Sequence, residues 1–191
     1  MARFLISGAT SPLGLALINK LSELGISSTL IVNKKTTNNG LIKKLKGETL
    51  DCDLSCPRGV DILCDEIQRS YTSFSAFVHL AATAPEDDFD VRVLGETFNV
   101  NVFSGWKIAK TCIAMMERAT GGRILFVGSV GQKFGGKNAR AGYAASKFLL
   151  EYFPKYFREC GANGILVNTL RLGVMEGGTQ TKTDVSFSDF L

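Results

Sequence analysis

Short apolar runs alternate with longer segments of helical periodicity along the chain. The apolar runs are typical of buried strands, because strands covered on both faces read as continuous hydrophobic stretches. They predict strands at about 2–7, 28–33, 48–51, 75–80, 123–128 and 164–171. The segments between them repeat apolar residues every three to four positions, which predicts amphipathic helices at about 13–25, 38–46, 57–71, 97–119 and 143–160.

The alternation of strand and helix determines the predicted fold class. Because parallel strands need a long crossover, it predicts an α/β fold in which helices cover both faces of a parallel sheet. Crossovers are right-handed, so we expect a doubly wound, Rossmann-type sheet with strand order 3-2-1-4-5-6. Ligands of such sheets bind at the carboxyl ends of the strands, and candidate functional residues are expected there.

A glycine-containing turn follows the first predicted strand. It reads Ser7-Gly8-Ala9-Thr10-Ser11-Pro12-Leu13-Gly14 and leads into a helical pattern. A strand, a turn and a helix in this order aim backbone N–H groups and the positive helix end at one point, where a pyrophosphate can bind. Gly8 allows the tight turn and Gly14 allows close packing, while Pro12 removes one N–H donor. Taken alone, the turn is equally compatible with an ordinary βα connection.

The second predicted strand ends in three polar residues, Asn33, Lys34 and Lys35. Proteins that bind NAD usually carry an acidic residue near this point to contact the ribose hydroxyls, whereas a basic residue accommodates the 2′-phosphate of NADP. The lysines, without a carboxylate beside them, favour NADP(H) over NAD(H). Alternatively, they open a solvated basic stretch that continues through the following helix.

Tyr143 and Lys147 lie four residues apart in a predicted helix and therefore share one of its faces. An ammonium group beside a phenol favours the ionised phenolate, which makes tyrosine a usable general acid near neutral pH. A lone tyrosine–lysine pair at this spacing is more often part of an ordinary amphipathic helix. Ser129, at the end of the preceding apolar run, adds a second polar group and makes catalysis the better interpretation.

Taken in order, these motifs resemble those of the short-chain dehydrogenase/reductase family from residue 3 to about residue 179. The resemblance implies cofactor-binding roles for Gly8, Thr10, Ser11, Leu13, Gly14, Asn33, Lys34, Asp53, Leu54, Ala81, Ala82, Tyr143, Lys147 and Gly173. It implies catalytic roles for Asn101, Ser129, Tyr143 and Lys147. The stretch from residue 121 to residue 168 is similar to the compact reductase branch of this family. After the fourth predicted strand, His79 and Leu80 stand where the family usually has two asparagines, and the sequence there is closer to the extended branch of the family.

The resemblance also implies a reaction, hydride transfer between a nicotinamide and a carbonyl or alcohol carbon. Ser129 is expected to hydrogen-bond the carbonyl oxygen, and Tyr143 to exchange a proton with it. Lys147 is expected to favour the ionised Tyr143 and to bind the nicotinamide ribose. Asn101 is expected to hold a water that links the lysine to solvent.

Composition limits the class of protein. The 191 residues, 45% apolar and 21% charged, predict a single soluble NAD(P)-binding domain over 1–191, with a polar tail over 175–191 whose composition is typical of a mobile segment. We expect a cytoplasmic protein without a membrane span, since no long apolar stretch exists. The five cysteines lack zinc-type spacing and there is one histidine, so no metal site is expected. A net charge of +4, spread along the chain, argues against nucleic-acid binding.

Two further expectations concern partners. The apolar and aromatic segment 148–157 exceeds what one buried helix face requires and predicts a homodimer or higher homo-oligomer, although Pro154 should kink that helix near Leu150. The substrate is expected to be a small carbonyl or alcohol.

The alternative to an enzyme is a nucleotide-binding protein without turnover, such as a cofactor sensor or a partner-dependent subunit. Pro12, Leu172 in place of the family's proline, and the short C-terminal region favour that alternative.

Overall fold

The computed structural model describes residues 2–87, 90–119, 121–131 and 140–173. The predicted tail over 175–191 lies outside these described residues. Within them, every helix is too short or too polar to cross a bilayer.

The strands of the described segments form one parallel sheet of six. They are β1 (Arg3–Ser7), β2 (Ser27–Val32), β3 (Glu48–Asp51), β4 (Ala76–His79), β5 (Gly122–Ser129) and β6 (Ile165–Leu172). Their spatial order is β3-β2-β1-β4-β5-β6, with neighbours hydrogen-bonded in parallel. The predicted fold class and strand order are confirmed. The order reverses between β1 and β4, so the carboxyl ends of these two strands flank the crevice where such sheets bind ligands.

The helices of the described segments are α1 (Pro12–Glu23), α2 (Asn39–Ile42), α3 (Pro57–Ser70), α4 (Val91–Phe98), α5 (Ser104–Met116), α6 (Ala141–Leu149) and α7 (Phe153–Tyr156). Most begin with recognisable capping. The Ser11 hydroxyl accepts from the Gly14 N–H, and proline stands in the first turn of both α1 and α3. The helix predicted over 38–46 is a single turn, because Gly40 disfavours helix and Gly47 packs its Cα against the Ser28 carbonyl.

Two apolar clusters cover opposite faces of the sheet. Leu5 and Ile6 show the alternation: Leu5 packs with the residues of α3 and α5, and Ile6 packs with those of α1. The same alternation separates Phe77 from Val78 on β4. Successive side chains of a strand point to opposite faces, so a strand covered by helices on both sides must be apolar throughout. This is why the predicted strands read as continuous apolar runs.

The helix predicted over 97–119 begins earlier, at α4, and contains a widened turn. Asp90 caps α4 by accepting a hydrogen bond from the Arg92 N–H at 2.8 Å. Between α4 and α5, residues Asn99–Phe103 form a turn of π-helix, a feature that single-residue propensities do not reveal. Asn101 lies in the middle of this turn and is completely buried.

The helix predicted over 143–160 is divided, as Pro154 requires. Pro154 has no N–H to donate to Leu150 four residues earlier, and α6 ends at Leu149. A tight 3₁₀ turn follows at Leu150–Tyr152, before α7. The Leu150 carbonyl accepts instead from the Phe153 N–H and from the Thr169 hydroxyl of β6, the latter at 2.7 Å. The sheet thus supplies the hydrogen bond that the proline withholds.

Candidate active site and cofactor-binding site

The predicted site residues follow the carboxyl ends of all six strands. Along the sheet from β3 to β6, these are Asp53, Asn33, Gly8, Ala81, Ser129 and Gly173. The sheet therefore gathers residues that are far apart in sequence along one edge. Ser129 pairs in register with Leu172, which places Gly173 one residue beyond the strand position opposite the serine.

The turn after β1 has the geometry of an anion-binding loop. Ser11 closes it by donating from both its N–H and its hydroxyl to the Gly8 carbonyl, at 3.1 and 2.8 Å. The N–H groups of Thr10 and Leu13 are left without a hydrogen-bond partner among the described residues. Free N–H groups at the start of α1, together with the helix dipole, suit the pyrophosphate of a dinucleotide.

Two glycines of this turn allow backbone segments to touch. Gly8 has φ +69°, and a Cβ atom there would lie 2.5 Å from the main-chain nitrogen of Ala81. A Cβ on Gly14 would lie 2.4 Å from the Gly8 carbonyl oxygen. Any side chain at either position would therefore push α1 or the residues after β4 away from the turn. The buried Ala81 and exposed Ala82 lie beside the loop that is predicted to hold the phosphates.

The residues after β2 form a compact turn. The Asn33 side chain accepts from the Lys35 N–H at 3.1 Å, and the Asn33 carbonyl accepts from the N–H groups of Thr36 and Thr37. Lys34 and Lys35 are both exposed. The Lys34 N–H is taken by the carboxylate of Asp51, at 2.9 Å. Sequence reasoning missed Asp51, because it belongs to the neighbouring strand.

Asp53 and Leu54 lie between β3 and α3, where the adenine of a dinucleotide is expected. The exposed Asp53 carboxylate accepts from the N–H and hydroxyl of Ser55, at 3.0 and 2.7 Å. Leu54 is buried and belongs to the core. The Ser55 carbonyl accepts from the Asn99 side chain at 3.1 Å, which links this loop to the π turn.

Tyr143 and Lys147 share one face of α6, as their spacing predicts. The Lys147 Nζ atom lies 5.8 Å from the centre of the Tyr143 ring. Lys147 is 3% exposed and donates to the Val127 carbonyl of β5 at 2.8 Å. Burial lowers the pKa of the Lys147 ammonium to about 8, so the group is still mainly protonated at neutral pH. The structure thus places a buried cation beside the phenol ring.

Asn101 joins the loop after β4 to α6, the helix that carries Tyr143. Its side-chain oxygen accepts from the Thr83 N–H at 2.8 Å, and its amide nitrogen donates to the Thr83 carbonyl and the Ser146 hydroxyl, both at 2.9 Å. Ser146 in turn donates to the Tyr143 carbonyl at 2.7 Å. Each strong hydrogen-bonding group of the amide is used. Asn101 therefore fixes where α6 stands relative to the loop after β4.

His79 connects the end of β1 to the π turn. It is fully buried, its Nε2 atom lies 3.2 Å from the Asn101 carbonyl oxygen, and its Nδ1 atom lies 2.7 Å from the Ser7 hydroxyl. A carbonyl can only accept, so Nε2 carries the proton and Nδ1 accepts from Ser7. Burial, and then the nearby Lys147 charge, lowers the pKa of His79 to about 3. The imidazole is a neutral bridge between two parts of the site.

Asp87 is a further buried site residue that no sequence pattern singled out. It is 2% exposed, and its carboxylate accepts from the Gly142 N–H at 2.7 Å. Gly142 lies in the first turn of α6, whose preceding residue Arg140 provides no side-chain cap. A distant carboxylate thus caps the helix that carries Tyr143, and its negative charge complements the helix dipole. The acidic run around residue 87 gave no hint of this, since acidic runs are usually solvated.

Metal chemistry and thiol chemistry find no support among the described residues. No cluster of three histidine, cysteine or acidic side chains within them could hold a metal ion. All five cysteines are free, and burial raises the pKa of the Cys52 thiol to about 12 and that of Cys112 further. The Cys52 and Cys112 thiols are therefore protonated and unreactive at neutral pH.

The environment of His79 predicts a single, neutral imidazole signal from the one histidine of the chain. In ¹⁵N-histidine-labelled protein, we expect the Nε2–H tautomer, with no titration between pH 5 and pH 8. Because the pKa is about 3 rather than the ordinary 6.5, unfolding takes up a proton below about pH 6.5. The free energy of unfolding should therefore fall as the pH drops from 6.5 towards 3. A resonance that titrates near pH 6.5 would contradict the buried bridge.

Comparison with known proteins agrees with this geometry. A family model described as short chain dehydrogenase matches residues 3–186. The 3-oxoacyl-acyl-carrier-protein reductase FabG of Escherichia coli (strain K12) is 26% identical over 182 residues, a match that covers 90% of this chain and 72% of the relative. The reductase of the same name from Pseudomonas aeruginosa is 27% identical over 185 residues and is covered to 73% of its length.

Solved structures share the fold. A short-chain dehydrogenase from Sphingobium yanoikuyae in complex with NADPH matches with a TM-score of 0.80 and 18% identity, over 92% of this chain and 72% of the other. An NADH-dependent reductase complexed with NAD matches with a TM-score of 0.78 and 20% identity, over 91% of this chain and 78% of the other. Together with the family match over nearly its whole length, this architecture shows that the chain belongs to the short-chain dehydrogenase family of NAD(P)-dependent oxidoreductases.

Proposed function

We propose that this protein interconverts a small carbonyl compound and the corresponding alcohol, with Tyr143 as the general acid or base and NADP(H) as the favoured cofactor. The observation that carries the proposal is the buried Lys147 ammonium beside the Tyr143 ring. A buried lysine is costly and is retained where its charge is needed. The relatives named above supply the reaction class by similarity, and the E. coli relative is a reductase of a carbonyl group by name.

The turn after β1 suits the phosphates of a dinucleotide, because the N–H groups of Thr10 and Leu13 are free among the described residues and the positive end of α1 lies beside them. A bound nicotinamide supplies or accepts the hydride. Asp53 and Leu54, after β3, are proposed to contact the adenine, and Ala81, Ala82 and Gly173, after β4 and β6, are proposed to contact the nicotinamide end.

The protein's own residues handle the proton. Ser129, at the carboxyl end of β5, is proposed to hydrogen-bond the substrate oxygen, while its side chain already accepts from the Gly131 N–H at 3.1 Å. Tyr143 gives that oxygen a proton on reduction and takes it back on oxidation. Lys147 retains N–H donors for ribose hydroxyls beyond the one given to Val127. Asn101 holds α6 in place and is also proposed to bind the water that links Lys147 to solvent.

Removing only the phenolic hydroxyl tests the proton donor. In the Tyr143→Phe variant we expect kcat to fall by about a hundredfold or more, the usual contribution of general acid catalysis, with NADPH affinity nearly unchanged. The Lys147→Ala variant should lose both turnover and cofactor affinity. Tyr152→Phe, a change on an exposed tyrosine of the 3₁₀ turn that follows α6, is the matched control and should keep full activity. The assay is NADPH oxidation over a panel of carbonyl substrates, and substantial activity in Tyr143→Phe would remove Tyr143 from the mechanism.

The lysines in the turn after β2 predict a preference for NADPH over NADH. In a fluorescence titration the unmodified protein should bind NADPH more tightly than NADH. The double variant with Asn33→Asp and Lys34→Ala should shift the ratio of affinities at least tenfold towards NADH, because one charge-assisted contact is worth about 1.5–3 kcal/mol. Lys43→Ala, in the same basic stretch but outside this turn, is the control. Equal affinities in the unmodified protein would argue against the preference.

We also propose that the protein forms a homodimer in the cytoplasm, where its free cysteines stay reduced. Phe148, Tyr152 and Tyr156 are 65%, 55% and 45% exposed on one side of the divided helix, and Phe103 beside α5 is 46% exposed. Such a patch of aromatic side chains is typical of an interface. Sedimentation equilibrium at micromolar concentration should give a dimer, and Phe148→Asp should give a folded monomer. A monomeric unmodified protein would contradict this assembly.

A further inference from the structure

A carboxylate reaches the cofactor-selecting turn from a different strand than expected. β2 and β3 are paired so that Val32 lies opposite Asp51, and both strands end there. The exposed Asp51 side chain extends across to the following turn, where it accepts the Lys34 N–H at 2.9 Å. The acidic residue that is missing after β2 in the sequence is thus present in space, one strand away.

This position matters because the turn after β2 is where dinucleotide-binding folds distinguish a ribose 2′-hydroxyl from a 2′-phosphate. Two features of Asp51 oppose a phosphate there. Its negative charge repels an anion, and its hydrogen bond occupies the Lys34 N–H, a donor that an incoming phosphate would otherwise use. The ammonium groups of Lys34 and Lys35 act in the opposite direction. The preference for NADPH is therefore a balance between these lysines and Asp51.

We propose that Asp51 is a specificity-determining residue that holds the turn after β2 in place and limits the preference for NADPH over NADH. This inference rests on the proposed cofactor function. Asp53, two residues further along, has a different task, since its carboxylate is held by Ser55 at the start of α3. Of these two aspartates, only Asp51 hydrogen-bonds the backbone of the turn after β2.

Asp51→Asn separates charge from structure. The amide oxygen can still accept the Lys34 N–H, so the turn is kept while the negative charge is lost. Fluorescence titration should show NADPH bound about three- to tenfold more tightly and NADH changed by less than about twofold. The gain for NADPH should shrink in high salt, which screens exposed charges. Glu48→Gln removes a carboxylate from the opposite end of β3 and is the matched control, with no change for either nucleotide.

The outcomes distinguish this inference from the proposed function. If the unmodified protein binds both nucleotides and Asp51→Asn changes neither affinity, or both equally, the role of Asp51 is wrong and the proposed function stands. If the unmodified protein binds neither nucleotide, both are overturned. A second variant, Asp51→Ala, also removes the acceptor for the Lys34 N–H. It should tighten NADPH binding as well, and thermal melts of both variants verify that the fold is kept.

Discussion

The position of α6, the helix that carries Tyr143 and Lys147, depends on one buried amide. Asn101 is inaccessible to solvent and bonds both main-chain groups of Thr83 on one side and the Ser146 hydroxyl on the other. A buried amide is costly unless all its groups are paired, and here each is. These hydrogen bonds join the loop after β4, the π turn and α6. The pairing that makes burial of the amide tolerable therefore also holds the helix that carries Tyr143 beside the loop after β4.

The π turn makes this arrangement possible. The turn of π-helix at Asn99–Phe103 holds one more residue than a turn of α-helix. The residues after it are therefore rotated about the helix axis, relative to their positions in an uninterrupted α-helix. It also brings the Asn101 carbonyl to the His79 imidazole, which is packed so tightly against α5 that a Cβ on Gly105 would lie 2.6 Å from its ring. The neutral histidine, the glycine and the turn form one interlocking unit.

The features of the fold that could be predicted from the sequence are those that hydrophobic periodicity and local turns determine. Strand order and the placement of Gly8, Ser129 and the Tyr143–Lys147 pair follow from alternation, crossover handedness and spacing, all of which are local or topological rules. Asp51 and Asp87 could not be predicted in the same way. Asp51 reaches the Lys34 N–H from a neighbouring strand, and Asp87 reaches Gly142 across 55 positions of chain. Nothing in the sequence around an aspartate indicates which distant N–H group its carboxylate will bind in the fold.

The division of the last long helix by Pro154 has an evolutionary consequence. α6 is only nine residues long and is held at its beginning by Asp87, while the turn that follows it is held by Thr169. Hydrogen bonds to distant parts of the chain thus hold both ends of the short segment that carries Tyr143 and Lys147. After Leu150 the chain divides its aromatic side chains between two tasks: Phe153 and Phe157 are buried in the core, whereas Tyr152 and Tyr156 are exposed. Natural variation at the exposed positions can therefore reshape the outer surface of the protein without disturbing the core contacts behind Tyr143.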